Sequence, residues 1–97
     1  MKFSTLLKQL RKKKGMSIKK LAVDLGVNYT YISKLENSKV SPSSAVINKF
    51  ANYFDYNADE LTVIAGKIPE DIKEILMNNP KEAISYLRRK FIGGKSE

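Results

Sequence analysis

A chain of 97 residues with 42% apolar content can hold one small domain, alone or with a short extension, and cannot enclose a large cavity. It has no cysteine and no histidine, which excludes a disulfide framework, a thiolate nucleophile and the usual zinc ligand sets, so neither metal nor cofactor is expected. Its net charge of +8 belongs entirely to residues 1–39, where ten Lys or Arg face only Asp24 and Glu36, while residues 40–97 carry eight bases and eight acids.

That asymmetry points to a polyanion partner, because clustered Lys and Arg displace the counterions condensed on phosphates. Solubility and an acidic lipid surface are the competing explanations. No run of about 18 apolar residues occurs. The start, Met1-Lys2-Phe3-Ser4, has no long apolar stretch either, so neither secretion nor membrane spanning is expected.

The first helix is expected over about Phe3 to Lys14, with Phe3, Leu6, Leu7 and Leu10 as its apolar stripe and Gly15 as its end. The basic run Arg11 to Lys14 sits where the negative end of the helix dipole favours cations. Ser17 can cap a second helix, whose Ile18, Leu21, Ala22 and Leu25 share one face. Gly26 breaks it, Val27 fills the corner, and Asn28 is suited to cap a third helix from Tyr29 to about Asn37. In outline this is a helix-turn-helix. Along the third helix Ile32 and Leu35 point one way. Thr30, Ser33, Lys34 and Asn37 point the other, offering donors, acceptors and one positive charge without a large apolar group. Such a face suits water or the edges of nucleic-acid bases.

Ser38 to Ser41 reads as a polar loop. Pro42 and Ser43 begin a fourth helix with an apolar face of Val46, Ile47, Phe50, Ala51 and Phe54, which are core residues rather than a cofactor pocket. Asp55 to Asn57 is a turn, and Asn57 with Glu60 resembles a capping box for a fifth helix, in which Leu61, Ile64 and Ala65 close the core before Gly66. Pro69 fits the first turn of a sixth helix, with Glu70 and Asp71 near its positive end. Asn79, Pro80 and Glu82 start a seventh, and Gly93 and Gly94 release a short polar tail.

The fold class is therefore all-α, with a five-helix domain over residues 1–66 and a two-helix extension over 67–97. Helices as short as the last two are marginal in water, so their apolar faces must dock. Ile72, Ile75, Leu76, Ile84, Leu87 and Phe91 are expected to do so on the first domain, on a second copy across a two-fold axis, or on a partner protein through residues 68–91. Arg88, Arg89 and Lys90 read as a cationic helix end, with nucleic-acid contact as the alternative.

Ser17, Leu21-Ala22, Gly26, Asn28, Ile32-Ser33, Glu36 and Pro42-Ser43 together resemble the DNA-binding domain of the phage repressor and Cro type, the XRE family. The resemblance covers the first two thirds of the chain and implies a repressor-like helix-turn-helix domain of five helices. It implies a double-stranded DNA operator as partner and a sequence-specific transcription regulator, most often a repressor. It also implies a prokaryotic or phage-encoded, cytoplasmic protein that is nucleoid-associated when bound. By position in the family motif, Tyr29, Thr30, Ser33 and Lys34 reach bases. Asn28, Asn37, Lys39 and Ser17, with Lys19 or Lys20, hold phosphates. Arg11 pairs with Glu36 as a structural salt bridge, leaving Lys12 to Lys14 solvated or near phosphate. Many members carry Gln as a phosphate contact where this chain has Ile18, so Lys19 or Lys20 would have to replace it.

One such domain reading four or five base pairs discriminates poorly, so a homodimer on a pseudo-palindrome is expected. An antitoxin-like or adaptor protein, whose last helices bind a partner protein, is the alternative. Ser, Lys, Asp and Glu are present, but no spaced constellation resembles a nucleophile with its base, and no enzyme is expected.

Overall fold

A computed structural model describes residues 1–93; Gly94 and the rest of the expected tail lie outside the described residues. Those residues form seven helices and no strand: α1 Phe3–Lys13, α2 Ile18–Leu25, α3 Tyr29–Glu36, α4 Ser44–Phe54, α5 Ala58–Ile64, α6 Glu70–Asn78 and α7 Pro80–Phe91.

Four helix starts are held by a side-chain oxygen that accepts an otherwise orphan amide. Ser17 Oγ accepts from Lys20 at 3.0 Å, Asn28 Oδ1 from Thr30 at 2.7 Å, Ser43 Oγ from Val46 at 3.2 Å and Asn57 Oδ1 from Glu60 at 2.9 Å. Each such cap is worth about 1 kcal/mol. The caps also move boundaries expected from sequence. Ser43 takes the extended cap geometry, ψ 162°, so α4 starts at Ser44 and Pro42 stays outside it, buried. Pro69 likewise stands ahead of α6, with ψ 145°, rather than in its first turn. At Asn57 the structure holds only the half of the capping box in which the asparagine accepts. The helices α1 and α3 end at Lys13 and Glu36, because Lys14 and Asn37 have already left helical geometry, with ψ of 0° and 11°.

Met1–Lys67 forms one compact unit, and a second begins at Ile68. In the first, α3 packs on α1 and α2, α4 on α2, and α5 on α4. The shared core is Phe3, Leu6, Leu7, Leu21, Ala22, Ile32, Leu35, Ile47, Phe50, Ala51 and Leu61. Burying one such Leu, Ile or Phe contributes roughly 1.5–3 kcal/mol. Leu10, Ile18, Leu25, Val46, Phe54, Ile64 and Ala65 pack at the rim of this core, half-buried. A domain this small has too high a ratio of surface to volume to enclose a whole apolar stripe.

In the second unit α6 packs on α7, and neither helix has a buried residue. Between them lies an open groove whose walls include Ile72, Ile75, Leu76, Ala83, Tyr86 and Leu87. Leu76 is half-buried, whereas Ile72, Ile75, Ile84 and Leu87 are exposed and Phe91 is 75% exposed.

Candidate nucleic-acid interface

The candidate interface is built on α3. Its inward residues Ile32 and Leu35 are 0% and 1% exposed, which fixes the helix against the core and leaves the opposite face outward. On that face Thr30, Lys34 and Asn37 are exposed, Ser33 is half-buried and Tyr29 at the helix start is exposed. The turn before it depends on Gly26, whose φ of 69° is a conformation that a Cβ strains. Asn28 then caps α3 through its oxygen, so its side-chain amide nitrogen is left to donate outward.

A buried pair holds α3 in this orientation. Arg11 Nε donates to Glu36 Oε2 at 2.6 Å, Nη2 donates to Oε1 at 3.0 Å, and Nη1 donates to the Met16 carbonyl at 2.7 Å. Hydrogen bonding to Glu36 raises the Arg11 pKa above its ordinary value, so the guanidinium stays charged despite its burial.

The lysines divide into two groups. Lys19, Lys34 and Lys39 are exposed and form no ion pair among the described residues. Three others are engaged within the domain. Lys20 pairs with Asp24 at 3.0 Å, Lys49 donates to the Leu25 carbonyl at 3.3 Å, and Lys14 donates to the Tyr53 carbonyl at 3.3 Å. The Lys14 ammonium also lies 4.3 Å from the Tyr53 ring centre, while the residue itself stays exposed, like Lys12 and Lys13. Between Lys19 and Lys20 as replacements for the missing Gln contact, Lys19 is the one without a competing carboxylate.

Ser17 retains its hydroxyl proton while accepting from Lys20, so it can still donate to an anion. A recess at the start of α2 is lined by Arg11, Ser17, Ile18, Lys19 and Tyr29, which brings the expected phosphate side of α2 beside the first residue of α3. Asn37 donates one side-chain N–H to the Ser33 carbonyl at 2.9 Å and keeps one for another acceptor. Lys39 lies in the loop just past the end of α3.

A family profile described as Helix-turn-helix matches residues 7–61. The chain belongs to the XRE-type helix-turn-helix family. The matched region runs from α1 into α5 and contains every residue named in this interface; α6 and α7 lie beyond it. The helix-turn-helix chain is also similar to an uncharacterized HTH-type transcriptional regulator, RghRB, of Bacillus subtilis (strain 168). The two are 36% identical over an alignment 76 residues long, which covers 74% of this chain and 55% of that protein. The chain thus spans about half the length of the relative it matches. No solved structure matches it significantly. Among the described residues no helix is long and apolar enough to cross a membrane.

Two features of this helix-turn-helix domain escaped the sequence reading. One is the Asp24–Tyr53 link: the Tyr53 hydroxyl donates to Asp24 Oδ2 at 2.6 Å. It joins residues 29 apart, and no local pattern signals it. The other is Ser4, buried on α1, which accepts a hydrogen bond from Ser38 at 2.8 Å. Ser4 lies seven positions before Arg11, on the same side of α1, and that spacing was a usable signal.

Proposed function

We propose that this chain is a sequence-specific, double-stranded DNA-binding transcription regulator. It reads the major groove with α3 as a homodimer on a pseudo-palindromic operator. The observation that carries this reading is the outward face of α3: Thr30, Ser33, Lys34 and Asn37 make up a polar surface with no core role, on a helix rigidly backed by Ile32, Leu35 and Glu36. An α-helix fits the major groove, where base pairs present distinct donors, acceptors and methyl groups. Lys34 addresses guanine acceptors, Thr30 and Ser33 offer hydroxyls, and Tyr29 offers its ring. Ser17, Lys19, Asn28, Asn37 and Lys39 surround these with phosphate contacts, and Lys20 joins them by exchanging Asp24 for a phosphate. The name of the Bacillus relative agrees with a regulator, and resemblance to phage repressors favours repression in a prokaryotic or phage-infected cytoplasm.

In this reading residues 1–66 bind DNA and residues 67–97 join two copies through Ile72, Ile75, Leu76, Ile84, Leu87 and Phe91. Two copies place their reading helices on half-sites about 10 base pairs apart. The open apolar groove between α6 and α7 also favours a second reading, in which a different protein occupies it. Selection from random duplex DNA at a fixed salt concentration should enrich a two-fold symmetric sequence. Enrichment of no sequence would reject the proposal. Sedimentation at micromolar concentration separates the readings: two copies support the dimer, and a monomer that gains mass only with a second protein supports the adaptor.

A further inference from the structure

Ser38 adopts φ 59°, a left-handed conformation that side chains avoid, just where α3 gives way to the loop. Around it Ser38 N–H donates to the Leu35 carbonyl at 3.2 Å and Lys39 N–H donates to the Lys34 carbonyl at 2.8 Å. This pair of bonds closes a helix end whose left-handed position usually falls to glycine. Here the position holds a serine, and its side chain makes a contact that glycine lacks. Its Oγ donates to Ser4 Oγ at 2.8 Å, and Ser4 is buried in the first turn of α1. The first helix therefore holds α3 at Glu36 through Arg11 and the turn that follows it at Ser38 through Ser4.

We infer that Ser38 is a positioning residue for DNA: its turn, pinned to Ser4, sets where Lys39 stands relative to Lys34. The inference rests on the function proposed above, in which Lys34 meets a base and Lys39 a phosphate. One hydrogen bond, from the Lys39 amide to the Lys34 carbonyl, already couples the two residues through the backbone. Helix ends and loops open readily when few buried contacts hold them, and ordering them at binding lowers affinity. Pinning the turn to a buried serine removes that ordering step. Persistent strain of this kind is expected where a segment must arrive pre-arranged.

The test uses the full chain with Ser38→Gly and Ser4→Ala, singly and together, each also combined with Lys39→Ala. Thermal stability and affinity for the selected duplex are measured across a salt series. Ser38→Gly loses the left-handed strain, so it should melt no lower than the parent, yet bind about three- to tenfold more weakly. Ser4→Ala should weaken binding by a similar factor, and the double variant by no more than either single change, as two halves of one link. In the Lys39→Ala background neither serine change should alter affinity further. The inference is overturned if Ser38→Gly binds as tightly as the parent, or if its loss multiplies with that of Lys39→Ala. A parent chain that selects no duplex removes the DNA reading itself and this inference with it, which distinguishes the two failures.

Discussion

Arg11 and Glu36 meet as a two-pronged ion pair, at 2.6 and 3.0 Å, with both residues buried and 25 positions apart in the chain. The third guanidinium arm reaches the Met16 carbonyl, so one side chain ties α1, the turn after it and α3. Removing one partner strands a buried charge, so Arg11→Ala or Glu36→Ala should lower the unfolding free energy by about 3–5 kcal/mol. Urea denaturation measures this. The double change Arg11→Met with Glu36→Leu should recover most of the loss, because no charge is then left unpaired. Single variants as stable as the parent would refute the role.

The Asp24 carboxyl is held below its ordinary value of 3.8, first by the Tyr53 hydroxyl and then by Lys20. The folded state therefore binds that proton less readily than the unfolded chain. The resulting stability is present above the ordinary value and is lost as pH falls through and below it. Melting temperature followed from about pH 5 down to about pH 2 should decline more steeply in the parent than in Asp24→Asn. Parallel declines would show that the link has no effect on stability. The difference should be small, because the group is solvent-screened.

Lys34 and Lys39 are both exposed lysines and are expected to fail in different ways. Lys34→Ala should cost about 1–3 kcal/mol on the preferred duplex and relax preference at a single base pair. Lys39→Ala should weaken every sequence alike and flatten the salt slope by about one unit. Quantitative binding to a panel of single-base operator variants at several salt concentrations decides the matter. A Lys34 variant with unchanged sequence preference would mean that the reading face is misassigned.

Leu87 and Ile75 are exposed on the apolar sides of α7 and α6, 44% and 52% respectively. In the proposed dimer Leu87→Asp or Ile75→Asp buries an unpaired carboxylate. Sedimentation should then report one chain instead of two, and operator affinity should fall more than about tenfold as half the contacts are lost. A variant that remains dimeric would locate the interface elsewhere.

Most of the helical order was legible because each helix announces itself locally. Ile18, Leu21, Ala22 and Leu25 mark a face, Ser17 and Asn28 mark starts, and Gly26 marks the break. Boundaries shifted where a cap competed with a proline, as at Pro42 and Ser43, since both residues favour helix starts and only the bonded serine settles which leads. Contacts between distant positions left no periodic trace. Periodicity does not link Arg11 with Glu36, and only likeness to the family suggested the pair. Asp24 with Tyr53, and Ser4 with Ser38, required the fold. The lysines show the same limit: composition counts Lys14, Lys20 and Lys34 alike, while the structure commits the first to Tyr53 and the second to Asp24.

Since Ile32, Leu35 and Glu36 anchor α3 from behind, the side chains on its front contribute little to whether the domain folds. Thr30 and Lys34 can therefore be exchanged with the scaffold left standing. In the proposed DNA-reading role, a duplicated gene could drift toward a new target through single viable steps, and the same freedom would let a designer graft a different surface onto this helix.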